Sequence, residues 1–223
     1  MDKKLLREAV IKFTAGIILV GALLFVPAGT LKWSNGWLFM GVLFIPMFIA
    51  GIVMYLKAPA LLRSRLSARE KEATQQGVIR YSGLMFLAAF IVAGLNFRFG
   101  WTSLPAFVVT GAVIVFLLSY LMFAEVLREN AYLSRTIEVQ ENQTVVDTGL
   151  YGIVRHPMYS ATVLLFLSMG LILNSIISFV IMLAYIPLIV TRIRNEEEVL
   201  ERELNGYVEY EKKIRWRLLP FIW

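Results

Sequence analysis

The stretch HPMYSATVLLFLSMGLILNSIISFVIMLAYIPLIVT, residues 156–191, runs for 36 residues without an acidic, lysine or arginine side chain. As one straight helix it would rise about 54 Å, far more than the roughly 30 Å of a bilayer's hydrocarbon core. Asn174-Ser175 sits near its middle. The run therefore reads as a tight hairpin of two short helices, roughly 158–173 and 176–191. Four further uncharged runs precede it: Phe13–Leu31, Trp33–Leu56, Tyr81–Phe97 and Trp101–Ala124. Each suffices, or nearly so, for one crossing of about 20 residues. The expected fold is all-α: a polytopic membrane helix bundle of about six transmembrane helices, including a C-terminal helical hairpin, plus a cytoplasmic or interfacial C-terminal helix.

Composition agrees. Apolar residues make up 58% of the 223 and charged residues 17%, too little polar surface for a water-soluble domain of this size. Cysteine is absent, which excludes disulfides, thiolate metal sites and Cys nucleophiles. One histidine, His156, excludes a multi-histidine metal centre. No metal is expected.

Charge sets the orientation. Of 22 Lys and Arg, only Lys32 and Arg98 fall on the turns assigned outside, and all 16 acids lie on the other side. The positive-inside rule then puts both termini in the cytoplasm. The net charge of +6 follows this topology and does not point to nucleic acid. Trp33, Trp37 and Trp101 stand where interfacial aromatics are expected. The first run is too long, and Val26-Pro27-Ala28-Gly29 too weak a cleavage site, for a removable signal peptide. The basic loop 57–80 reads as topogenic charge against anionic headgroups. The expected location is a prokaryotic inner membrane.

The chain reads as a single integral membrane domain, 1–223, with two zones. Residues 1–124 are membrane helices one to four and the basic loop. Residues 125–223 carry the chemistry. Within them, 125–140 reads as a helix continuing out of the fourth span, Asp147-Thr148-Gly149 as a turn, and 193–212 as a helix with Leu200, Leu204 and Val208 on one face. Trp216, Leu218, Leu219, Phe221 and Trp223, beside Arg215 and Arg217, form an apolar end suited to the membrane interface.

Two polar clusters bracket the hairpin. The first is Gly149-Leu-Tyr151-Gly-Ile-Val-Arg155-His156-Pro157-Met158-Tyr159. Pro157 suits the first helical turn, whose free N–H groups can hold a carboxylate or phosphate. The plain alternative is a membrane-entry motif with His156 as helix cap. The second is Arg192-Ile-Arg194-Asn195-Glu196-Glu197-Glu198. Arg192 and Glu196 share a helix face, and the plain alternative is an i,i+4 ion pair. The hairpin returns residue 191 to the level of residue 157, so both clusters meet at one interface. Anionic, cationic and aromatic groups together there suit a nucleotide-like or amino-acid-bearing cofactor. No G-x-G occurs, so neither a dinucleotide loop nor a P-loop is supported.

At these residues the sequence resembles the isoprenylcysteine carboxyl methyltransferase family and, more distantly, the membrane phospholipid methyltransferases. The resemblance covers about residues 125–223. It rests on Gln143-Thr144-Val145-Val146, Gly149-x-Tyr151 and Arg155-His156-Pro157-x-Tyr159. After the hairpin come Arg192-x-x-x-Glu196-Glu197-x-x-Leu200, Tyr207-x-x-Tyr210 and Leu219-Pro220. Leu204-Asn205 stands where the family has Phe-Gly. The resemblance implies S-adenosyl-L-methionine as methyl donor, held by Gln143, Thr144, Val145, Val146, Tyr151, His156, Pro157, Met158, Tyr159, Glu196 and Glu197. It implies Arg192 and Glu196 as catalytic residues, and as partners a lipophilic or prenylated small-molecule or lipid substrate together with membrane lipids. The N-terminal half carries no such likeness, so the acceptor is not fixed. Carboxyl O-methylation stands first, with phospholipid N-methylation and small-thiol S-methylation open. A carboxylate acceptor needs no base and would be oriented by Arg192, whereas an amine or thiol would call on Glu196 or Glu197. Two other classes stay in view: a sterol-type NADPH reductase and a non-catalytic lipid-binding membrane protein. The sequence leaves the oligomeric state open.

Overall fold

The computed structural model describes residues 2–67, 73–130, 132, 139 and 141–223. Its helices are α1 (Lys3–Ala28), α2 (Ser34–Lys57), α3 (Pro59–Ser67), α4 (Ala73–Phe99), α5 (Ala106–Glu129), α6 (Pro157–Ile172), α7 (Ile176–Met182), α8 (Tyr185–Glu203) and α9 (Tyr207–Lys213). A 3₁₀ turn, Gly149–Gly152, precedes α6. The expected helical membrane bundle is what forms. Five helices are long and apolar enough to cross a membrane: Lys3–Ala28, Ser34–Lys57, Gln76–Phe99, Ala106–Glu129 and Ile176–Glu203, the last made of α7 and α8. The apolar α6 has 16 residues. The protein is an integral membrane protein.

Several boundaries differ from the sequence reading, each for a local reason. The hairpin turns at Asn174-Ser175 as expected: Asn174 adopts φ 59°, and the Ser175 hydroxyl accepts from Ser178 N–H to start α7. The returning limb is not one helix, because Pro187 lacks an N–H and its ring crowds the carbonyl four residues back, at Leu183. The chain breaks there, and Ile186 N–H bonds Leu183 O in a tighter turn. α5 ends at Glu129 instead of continuing. Residues 131, 133–138 and 140 of the expected continuation lie outside the described residues. The 57–80 segment is not a loop but holds α3 and the start of α4. The helix expected over 193–212 breaks at Leu204–Gly206, where Gly206 takes φ 85°. The break rotates the register, burying Tyr207 and Tyr210 and exposing Val208. Of the three tryptophans placed at interfaces, Trp37 and Trp101 are exposed. Trp33 is buried, stacked on Phe97 at 5.1 Å.

The core runs through α1, α2, α4, α5, α6 and the α7–α8 limb, with Leu24, Phe39, Phe116, Ile172, Met182 and Ile189 almost wholly buried. Lipid tails are as apolar as these side chains, so close van der Waals packing holds such helices together. Small residues permit it. A Cβ on Gly94 would lie 2.5 Å from the Leu24 carbonyl of α1, and one on Gly170 would lie 2.4 Å from the Phe179 amide of α7.

The bundle has a charged end and an opposite end. At the opposite end, buried Asn96 accepts from Thr102 N–H and hydroxyl and donates to the carbonyls of Thr102 and Asn174. Asn174 in turn accepts from Leu104 N–H at 2.6 Å. At the charged end, Asp2 pairs with Arg63 at 2.6 Å, and Lys12 reaches the Leu66 carbonyl of α3. The two polar clusters also sit at this end.

Backbone atoms cannot yield as side chains do. We therefore expect Gly94→Ala and Gly170→Ala each to lower stability by about 1–3 kcal/mol or more, read as a fall in thermal midpoint in detergent. Gly83→Ala, with nothing within 4 Å of its Cβ, should leave the midpoint unchanged or raised.

Candidate functional site

A cavity opens at the charged end. Its wall is made by Asn130 and Tyr132 after α5, Gln143–Val146, Tyr151, and Arg155, His156, Met158 and Tyr159 at the start of α6. Arg192, Glu196 and Leu200 of α8, Leu204 just after it, and Tyr207 and Tyr210 of α9, complete it. The two clusters that the hairpin brings to one level thus face each other across one space.

Tyr159 joins them. The Arg192 Nε–H donates to the Tyr159 hydroxyl at 2.8 Å, and that hydroxyl donates to Glu196 Oε2. The Arg192 guanidinium lies 5.9 Å from the Tyr159 ring centroid. On the other side, the His156 ring stacks on Tyr159 at 5.7 Å and 28°. A cation, a phenol and a carboxylate therefore stand in line at the cavity edge, beside the apolar helices.

Behind this line lies a second, drier network. Glu197 is the next residue after Glu196, so it projects about 100° further round the helix, away from the cavity. Its side chain is 3% exposed. One carboxylate oxygen meets Arg155 at 2.8 Å and His156 Nε2 at 3.1 Å, and the other takes the Arg217 Nε–H at 2.6 Å. Glu211 of α9 holds the opposite edge of Arg155 at 2.5 Å. Pro157, at the first position of α6, is also buried away from the cavity. His156 occupies the helix N-cap position but makes no cap bond with its side chain. Its imidazole turns to Glu197 instead, which removes the plain reading of His156 as a cap.

The segment 214–223 straps the site. Arg155 N–H donates to Trp216 O at 2.8 Å, His156 N–H to Arg217 O at 3.0 Å, and the Ser160 hydroxyl to Leu218 O at 2.6 Å. The opposite wall is fixed by the 3₁₀ turn. Gly149 has φ 51°, and a Cβ there would fall 1.9 Å from Glu129 Oε2, so no other residue fits without displacing that carboxylate. Tyr151 receives the Asn130 amide at 2.9 Å, and its carbonyl accepts the Tyr210 hydroxyl at 2.8 Å. Burial pushes the Tyr151 hydroxyl up to about 12 and raises those of Tyr207 and Tyr210 as well.

Of the residues expected to hold a cofactor, Gln143, Thr144, Val145, Val146, Tyr151, His156, Met158, Tyr159 and Glu196 line the cavity, as does Arg192. Pro157 and Glu197 do not line it. Asn130, Tyr132, Arg155, Leu200, Leu204, Tyr207 and Tyr210 line it without having been assigned to the site. The Tyr207-x-x-Tyr210 spacing was a usable signal, while Asn130 carried none. Two buried polar atoms of cavity residues make no hydrogen bond, Tyr207 Oη and Arg155 Nε. A buried polar atom without a partner costs free energy, and both fit a polar ligand in this space. Among the described residues no group of His, Asp and Glu could hold a metal ion.

Fold and site together define a helical membrane protein with a polar, aromatic cavity let into one end of the bundle. Residues 108–202 match the model of the isoprenylcysteine carboxyl methyltransferase (ICMT) family. The match supports a membrane methyltransferase of the isoprenylcysteine carboxyl methyltransferase kind. It ends before Tyr207 and the strap. A search of curated proteins found no match.

Removing one partner from a buried ion pair leaves the other charge stranded, at about 3–5 kcal/mol. Glu197→Ala should thus lower the unfolding midpoint sharply, whereas Glu196→Gln, partly exposed at the rim, should change it little. The three raised tyrosines bind protons in the folded state that the unfolded chain releases above pH 10. Their contribution is intact below that and lost as pH climbs towards 12 and beyond. The midpoint should fall over that range, with the tyrosinate absorbance of these residues delayed to well above pH 10 while the fold holds.

Proposed function

We propose that the protein is an S-adenosyl-L-methionine-dependent methyltransferase acting on a lipophilic or membrane-associated acceptor, with the carboxylate of a prenylated cysteine as the first candidate. The single observation that carries this reading is the Arg192–Tyr159–Glu196 line at the edge of a polar cavity beside apolar helices. The family match supports it. In this reading both termini and the cavity face the cytoplasm, in a prokaryotic inner membrane.

Gln143, Thr144, Val145, Val146, Tyr151, His156, Met158, Tyr159 and Glu196 would hold the cofactor, joined by Arg155 and Tyr207. Pro157 and Glu197 would support these residues from behind. When bound, the cofactor supplies a methyl group already activated on a sulfonium, so the chain need only position the acceptor and exclude water. Arg192 has that task. Its Nε is committed to Tyr159, which fixes the plane of the guanidinium. A planar fork held at one edge has a set direction in which it can meet a carboxylate. The acceptor carboxylate is itself the nucleophile and loses no proton. Glu196 accepts the Tyr159 hydroxyl proton, so the hydroxyl oxygen is left to accept from the guanidinium and hold that edge.

S-adenosylhomocysteine at about 100 times its dissociation constant should stabilise the protein by roughly 2.7 kcal/mol, read as a raised unfolding midpoint. NADPH should give no shift. Arg192→Ala should keep that shift yet lose transfer of a labelled methyl group to an S-prenylated cysteine by ~100-fold or more, and Arg192→Lys should restore little. A shift with NADPH alone would sink the methyltransferase reading, and full turnover by Arg192→Ala would sink the role given to Arg192.

A further inference from the structure

Sequence placed the whole run Trp216–Trp223 at the membrane interface, but the structure divides it. Leu218 is buried in the same core as the membrane helices, and Trp223 packs against that core. Leu204, Tyr207, Tyr210 and Ile214 form a separate cluster. Between Leu218 and Trp223 the chain makes one tight turn. The amides of Arg217, Leu218 and Leu219 all donate to Trp223 O, and those of Ile222 and Trp223 donate to Leu219 O. Within it Phe221 takes φ 67°, a conformation rare for a bulky residue and held by these bonds.

The turn pushes Phe221 and Ile222 outward. They are 87% and 74% exposed, and no large apolar side chain among the described residues is more exposed than Phe221. Their height is fixed. The strap bonds Arg155 and His156, immediately before the membrane helix α6, and both ends of the turn rest on the membrane core. Exposed Lys212 and Arg215 flank the strap and complement anionic headgroups.

We propose that the turn Leu219–Ile222 is a lipid-inserted anchor. Phe221 and Ile222 seat in the anionic headgroup layer at the charged end, and the anchor sets the position of His156. The link is short. Trp216 and Arg217 carbonyls hold the Arg155 and His156 amides, and the Arg217 side chain holds Glu197, which holds the His156 ring. Lipid contact and the working face of the cavity are thus joined through one backbone pairing and one carboxylate.

The chain suits a direct test, since it has no cysteine and one histidine. Ile222→Cys and Lys212→Cys are each labelled with a nitroxide in vesicles containing phosphatidylglycerol. The Ile222 label should be relaxed by oxygen more than by a nickel chelate, and the Lys212 label the reverse. Separately, ¹³C-labelled histidine gives one imidazole signal. The double variant F221S/I222S, and Ile222→Ser alone, should shift or broaden that signal in vesicles. An Ile222 label as open to the nickel chelate as Lys212 overturns the anchor. So does spin–spin broadening between Ile222 labels, which would mark a second copy on the turn. An unmoved histidine signal overturns the coupling. Neither readout depends on the cofactor, so failure of the methyltransferase reading is separable from failure of this one.

Discussion

A carboxylate buried at the edge of a membrane has to be surrounded by its own counter-charges, and Glu197 is surrounded on three sides. Arg155 comes from the segment before α6, Arg217 from the strap, and His156 from the N-cap of α6. Ions cost several kcal/mol to take out of water, and good geometry on every face is what offsets this. The constraint therefore works outward. The strap must lie across α6, α8 must present residue 197 to it, and α9 must bring Glu211 to the other edge of Arg155. The cavity is the space left in front of this arrangement, and the Arg192–Tyr159–Glu196 line is the face it presents.

The two adjacent glutamates thus have different surroundings. Glu196 is partly exposed, bonded to a phenol, and open to whatever enters. Glu197 is sealed among cations. In the sequence they are indistinguishable neighbours, both read as cofactor contacts. Only the placement of α8 against the strap decides which faces the cavity.

The membrane helices were legible because their signal is binary: a charged side chain in the bilayer core is expensive, so uncharged runs mark the crossings. The hairpin was legible because Asn174-Ser175 interrupts a run too long for one helix. The break at Pro187 was written in the sequence too, in a proline four residues past Leu183, yet apolar continuity masked it. The rotation at Gly206 went the other way: leucines spaced by four suggested a continuing helix, and one glycine with positive φ ended it. The strap left no trace, since its bonds to Arg155 and His156 run between backbone atoms about 60 residues apart, and no side-chain pattern records them. Asn130 reached the cavity by the same kind of unadvertised proximity.

The length of α6 has a consequence for the membrane itself. At 16 residues it rises about 24 Å, several Å less than a typical hydrocarbon core. Such hydrophobic mismatch is relieved by local thinning of the bilayer or by recessing the helix end. The neighbouring α1, α2, α4 and α5 each have 24 residues or more and reach further. Either relief sets His156 and Tyr159 in a dimple below the surrounding surface, where acyl chains and polar solvent come within a few Å of one another.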